Sequence, residues 1–173
     1  MSTICSTSFE GIQLTTPRDD QVVQAFDLDD TLNLKPEAFD NAGLTKDEFF
    51  DLAQTFTTDE AVAYLARLLH SKGDAIAITT ARPIERLQQT KTWLEEHDIP
   101  FDVIMHARAS VPSCIAKQEM LQYLQLHYRM VGTLFDDSPY NCEGAHHQGV
   151  STVHIPKNCQ YWAANPEVVY CLS

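Results

Sequence analysis

An apolar run that ends in a cluster of acids constrains this chain more than any other feature. In "VVQAFDLDDTLN", Asp27, Asp29 and Asp30 fall within four positions directly behind a strand-like stretch. Like charges this close repel one another and lose hydration when buried, so a strand that merely filled a core would not end this way. The device returns in "MVGTLFDD", where Asp136 and Asp137 follow a second apolar run. Two carboxylate-rich strand ends point to one place in the fold where charge is put to use.

Short β-rich runs alternate along the chain with longer amphipathic segments. The runs "VVQAFDL" (22–28), "AIAITT" (75–80), "FDVIM" (101–105), "MVGTLF" (130–135) and "STVHI" (151–155) read as strands. Helices are predicted over "TKDEFFDLAQTF", with Thr45 and Glu48 at capping-box spacing, and over "TDEAVAYLARLLHSKG", with Thr57 and Glu60 in the same relation and Gly73 at its end. Pro83 suits the first turn of "PIERLQQTKTWLEEH", and Ser113 is the expected N-cap of "SCIAKQEMLQYLQLHY". A short helix near 139–148 completes the series. Strands separated by helices imply parallel pairing, hence a three-layer, Rossmann-like α/β sheet whose ligands sit beyond the carboxyl ends of the strands. Asp27, Asp29, Thr80, Asp136 and Asp137 then converge on one rim.

The expected organisation is a single domain over 1–173, with a small helical insertion or minimal cap at about 32–73 after the first strand and a C-terminal tail at 157–173. Hydrophobic residues make up 44% of the chain, enough for a sizeable core. The formal net charge of −12 weighs against a broad basic footprint for nucleic acid or anionic lipid. Neither a basic n-region with an apolar stretch nor a bilayer-length apolar run is present, so the reading is cytoplasmic with no membrane partner. Cys5, Cys114, Cys142, Cys159 and Cys171 form an odd set without a C-x-x-C pair, which fits reduced thiols. His146 and His147 are adjacent and would point about 100° apart on a helix, which suits a surface better than a zinc site.

The converging residues resemble the haloacid dehalogenase superfamily in its Mg2+-dependent phosphatase branch. Its D-x-D-x-T is matched by Asp27, Asp29 and Thr31, and its strand-end Thr by Thr80 in "AITTARP". Its helix Lys is matched by Lys117 in "CIAKQEML", and its paired acids by Asp136 and Asp137 in "TLFDDSPYN". The resemblance implies that Asp27 is the nucleophile forming an aspartyl-phosphate, and that Asp29 is the acid that protonates the leaving oxygen and then activates water. It implies Mg2+ as cofactor, held by Asp27, the Asp29 backbone carbonyl and Asp136 or Asp137, with Thr80 and Lys117 completing the catalytic set. Asp30 is read as an exposed turn residue. A competing reading is a non-catalytic phosphate- or nucleotide-binding module on the same fold.

"TTARPIERLQQTKTWLEEHDIPFDVIM" further resembles the phosphatase part of phage-type polynucleotide kinase/phosphatases, through Thr80, Ala81, Arg82, Thr90, Trp93, Leu94, Phe101 and Asp102. The resemblance implies that Arg82 contacts the substrate phosphate; Trp93 suits a core anchor better. Departures accompany it. Lys35 is the only base between Asp30 and Lys46, Met105-His106-Ala107 replaces the expected Met-Arg with Arg108 displaced, and no P-loop is present. The substrate therefore stays open between a phosphorylated small molecule or mononucleotide and a nucleic-acid end bearing a 3′-phosphate.

Overall fold

The computed structural model describes residues 1–39, 43–109 and 111–156. Its strands are β1 (Ser2–Cys5), β2 (Phe9–Gln13), β3 (Val22–Phe26), β4 (Asn33–Leu34), β5 (Thr57–Thr58), β6 (Ala75–Thr80), β7 (Val103–Ala107), β8 (Met130–Asp136) and β9 (Ser151–His154). The α-helices are α1 (Lys46–Leu52), α2 (Glu60–Ser71), α3 (Leu87–Glu96), α4 (Ser113–His127) and α5 (Pro139–His147). Seven strands form the main sheet in the order β1-β2-β7-β6-β3-β8-β9. From β7 to β9 every pairing is parallel, as expected.

The edge carries a correction. β1 and β2 form an antiparallel hairpin laid antiparallel on β7, so the strand at Val22–Phe26 is third in the chain rather than first. Periodicity did not reveal the hairpin because its apolar residues are few. Phe9 and Ile12 find their buried surroundings as β2 pairs with β7, and Ile4 of β1 joins the core beside them. Gly11 is required there: a Cβ would sit 2.2 Å from the Ile104 carbonyl oxygen.

Alternation along the central strands builds the two flanking layers. Val23, Ala25, Ala75, Ala77, Val103 and Met105 face α4 and α5, meeting Ala116, Met120, Leu124 and Ala145. Phe26, Ile76, Ile78 and Ile104 face the other way, toward Val62, Ala63 and Ala66 of α2 and Trp93 and Leu94 of α3. Trp93 is a core anchor, with its Nε1 donating to the Phe56 carbonyl at 3.0 Å.

Local signals set most boundaries and lose at some. Thr45 and Glu48 form the expected capping box on α1. Thr57 and Glu60 do not form one, because Thr57–Thr58 pairs with Asn33–Leu34 as a two-stranded ribbon and Asp59 caps α2 through the Ala61 and Val62 N–H groups. Ser113 lies inside α4, whose N-cap is Pro112, and a 3-10 turn at Ile84–Arg86 separates Pro83 from α3. Within the stretch expected as an insertion at about 32–73, α2 packs on the sheet through Val62, Ala63 and Ala66, and β4 pairs with β5 as a two-stranded ribbon. The expected tail at 157–173 lies outside the described residues. Among the described residues, no helix is long and apolar enough to cross a membrane.

Candidate active site

Chain order reverses in space at β3, which has β6 on one side and β8 on the other. Parallel sheets open a crevice at such a switch point, beyond the carboxyl ends of the strands. Phe26 and Phe135 are register partners whose rings stack 4.4 Å apart at 10°. The next residues, Asp27 and Asp136, therefore turn together to the opposite face, under α4. The Asp27 N–H donates to the Phe135 carbonyl at 2.9 Å and carries the ladder one step further.

Lys117 comes down from α4 between these two carboxylates. Its Nζ donates to Asp27 Oδ1 at 2.5 Å and also to Asp136 Oδ2. All three side chains are buried. Thr31 Oγ1 donates to Asp27 Oδ2 at 3.2 Å. Asp136 is held by the Ser138 N–H at 2.8 Å and by Asn141 Nδ2 at 3.0 and 3.2 Å. His154 Nε2 bonds the Asp137 carbonyl at 2.8 Å. Burial pushes the Asp27 carboxyl up to about 7, against the pull of Lys117, and the neighbouring Asp136 and Asp29 charges add to the rise. For Lys117 burial works downward, but Asp136 and Asp27 outweigh it and hold the ammonium above its ordinary value.

Oxygen ligands from Asp27, Asp136 and Asp137 lie within 4.8 Å of one another. Three carboxylates in that space match a small hard cation, which prefers oxygen ligands. The residues present thus fit Mg2+.

Asp29 lies within a tight turn. The Leu32 and Asn33 N–H groups both return to the Leu28 carbonyl at 3.0 Å. Asp30 adopts a positive φ of 63° and donates its N–H to Asn33 Oδ1 at 2.9 Å, so it is half-buried rather than exposed. Asn33 Nδ2 donates to Asp29 Oδ1 at 2.8 Å. The Arg82 fork does the rest, with Nε on Oδ2 at 2.8 Å and Nη2 on Oδ1 at 2.6 Å. Thr80 is buried at the end of β6, and its Oγ1 accepts from the Arg82 N–H at 3.2 Å, leaving the hydroxyl proton to donate. The motif residues Asp27, Asp29, Thr80, Arg82, Lys117, Asp136 and Asp137 are all on or beside this rim.

Several supporting residues escaped the sequence reading. Asn33 and Asn141 hold carboxylates through their amides; both are close in sequence to the acids they serve, which is the one signal that would have found them. His106, where the resemblance expects Arg, is fully buried and bonded through Nδ1 to the Arg82 carbonyl at 3.1 Å. Burial brings its pKa down to about 4, so the ring is neutral, with Nδ1 as donor. Arg108 commits its guanidinium to Glu10 at 2.5 Å and to the Ser6 carbonyl at 2.9 Å. His146 and His147 are exposed on α5, and Cys5 and Cys114 are free thiols.

No protein-family model matches the chain, and neither does any curated protein sequence. Solved structures do. A chain of the Pnkp1/Rnl/Hen1 RNA repair complex superposes with a TM-score of 0.68 at 19% identity, covering 84% of this chain and 47% of its own length. The class C acid phosphatase from Bacillus anthracis matches with a TM-score of 0.62 at 13% identity, over 90% of this chain and 74% of its own. A haloacid dehalogenase-like family hydrolase from Streptococcus pneumoniae matches with a TM-score of 0.52 at 15% identity, over 89% and 97%. The chain spans about half the length of the RNA repair chains it matches. These likenesses establish a haloacid dehalogenase-like fold.

Proposed function

We propose that this protein is a Mg2+-dependent phosphomonoester hydrolase that works through an aspartyl-phosphate. The observation that carries the reading is the buried Asp27–Lys117–Asp136 cluster, with Asp29 held two residues beyond the nucleophile on the same rim. An Asp27 oxygen attacks phosphorus and the bond to the leaving oxygen breaks, while Asp29 delivers a proton to that oxygen. In the second half Asp29 takes a proton from water, the water oxygen attacks phosphorus, and the Asp27 carboxylate is released. Asp27, Asp136 and Asp137, with the Asp29 carbonyl, would hold Mg2+, which when bound offsets charge on the phosphoryl oxygens. Lys117 balances charge between phosphate and nucleophile, and the Thr80 hydroxyl donates to a phosphoryl oxygen.

The substrate we favour is a mononucleotide or another small phosphomonoester. Of the arginines placed near the rim, Arg82 is engaged by Asp29, Arg86 by Asp47 and Asp51, and Arg108 by Glu10, which leaves those charges poorly placed to track a polynucleotide backbone. A second reading, hydrolysis of a nucleic-acid 3′-phosphate, is supported by the fold-level match to a chain of an RNA repair complex. Hydrolysis of mononucleotides, 3′-phosphorylated oligonucleotides and sugar phosphates with Mg2+ tests both. A strong preference for the oligonucleotide that fades steeply with salt would favour the second, and phosphate binding without turnover on any of them would leave a binding module.

A further inference from the structure

The stretch between β4 and β5 reaches the acid–base residue through a single guanidinium. Arg82 is fully buried, and its Nε and Nη2 are on Asp29. Its third nitrogen, Nη1, meets Gln54 in the 3-10 turn that follows α1. With the amide oriented to serve both ends, the Gln54 oxygen accepts from Nη1 at 2.8 Å and its nitrogen donates to the Gln89 carbonyl at 3.0 Å. The Phe50 ring centroid lies 5.9 Å from the guanidinium carbon. One turn further along, Arg86 pairs with Asp47 at 3.3 Å and with Asp51, so α1 is anchored to the same loop twice.

The donors with which Arg82 was expected to grip phosphate are thus engaged within the protein. A guanidinium is planar and rigid, so holding Nη1 determines where the opposite edge of the fork points. We propose that Gln54 is a positioning residue, which holds the Arg82 guanidinium and through it the direction of the Asp29 carboxylate. The insertion then belongs to the proton-transfer apparatus instead of merely covering it. This inference rests on the reading of Asp29 as the proton donor given above.

Leaving-group dependence separates the role from packing. An alkyl ester such as glycerol phosphate needs a proton as its oxygen departs, whereas p-nitrophenyl phosphate does not. Gln54→Met keeps the side-chain volume and loses the acceptor; Gln54→Glu keeps the acceptor. For Gln54→Met we expect kcat on the alkyl ester to fall about tenfold and on the aryl ester less than about twofold, because misdirected proton donation affects only the first. KM for both esters should stay at wild-type values, the melting temperature of Gln54→Met should fall by a few degrees as the buried Nη1 donor loses its acceptor, and Gln54→Glu should recover most of the alkyl activity. A Gln54→Met enzyme equal to wild type, or one that loses equally on both esters, overturns the inference while leaving the phosphatase reading in place. Wild-type protein that hydrolyses neither ester overturns that reading and this inference with it.

Discussion

Two buried aspartates sit at opposite ends of the same parallel strands. Asp27, at the carboxyl end of β3, and Asp102, before the amino end of β7, are 6% and 5% exposed. Asp102 receives the Ile76 N–H at 2.9 Å and the Thr15 hydroxyl at 2.7 Å, with His70 3.7 Å away. It ties β6, β7 and the segment after β2 together, and neutral donors meet its lone pairs. Asp27 instead shares one ammonium with Asp136 and has Asp29 nearby, so its charge is opposed by burial and by its own kind. Equal burial of the same residue type therefore says little. What distinguishes a joint from a reactive group is whether the neighbours are neutral donors or competing charges.

The sharpest way to break this comparison is to replace each aspartate and read both activity and stability. Asp27→Asn should lower kcat/KM by on the order of 10⁴-fold or more for every phosphoester, because the attacking oxygen is gone, while the fold persists with reduced repulsion. Substantial residual turnover would remove the covalent mechanism. Asp102→Ala should do the reverse, costing about 3 kcal/mol in denaturant unfolding through donors left without a partner, with kcat/KM unchanged within about twofold.

Metal dependence draws the line again with a smaller effect. At about one hundred times its dissociation constant, Mg2+ should stabilise the wild-type fold by about 2.7 kcal/mol, since on the proposed mechanism only the folded rim would bind it. Replacing Asp136 and Asp137 by Ala together should abolish that gain, and Asp102→Ala should keep it. Equal gains in all three proteins would move the metal elsewhere.

The smallest effect is in pH. Burial raises the Asp27 pKa from its ordinary 3.8 to about 7 in the folded state, so between those values the folded state binds the extra proton. Its contribution to stability is complete below about pH 4 and is lost as pH rises through about 7. In chelator, wild type should therefore lose on the order of 1 kcal/mol more than Asp27→Asn between pH 5 and 8, with Lys117 limiting the size. Parallel unfolding curves across that range would show that Lys117 compensates the charge completely.

Much of this site could be read in the chain because the signals are local. Asp27 and Asp136 stand at the ends of apolar runs, Thr80 ends another, and Lys117 opens an amphipathic helix, so a period-two or period-3.6 pattern carries each to the rim. Local signals also compete, and a single chain does not show which will win. Thr57 had capping-box spacing, yet strand pairing with Leu34 took it and left the cap to Asp59. The β1–β2 hairpin had no such pattern, since its few apolar residues join the core once β2 pairs with β7.

Sequence alone determined which residues stand at the strand ends, because alternation and chain direction follow from backbone geometry over a few residues. Only the tertiary structure decided whom they meet. Arg82 lies in its expected turn, but its partners Asp29 and Gln54 are 53 and 28 positions away, and nothing in the spacing relates the three. Folding brings a planar, five-donor side chain into a dry pocket where each donor must find an acceptor, and that requirement settles only once the surrounding elements are packed.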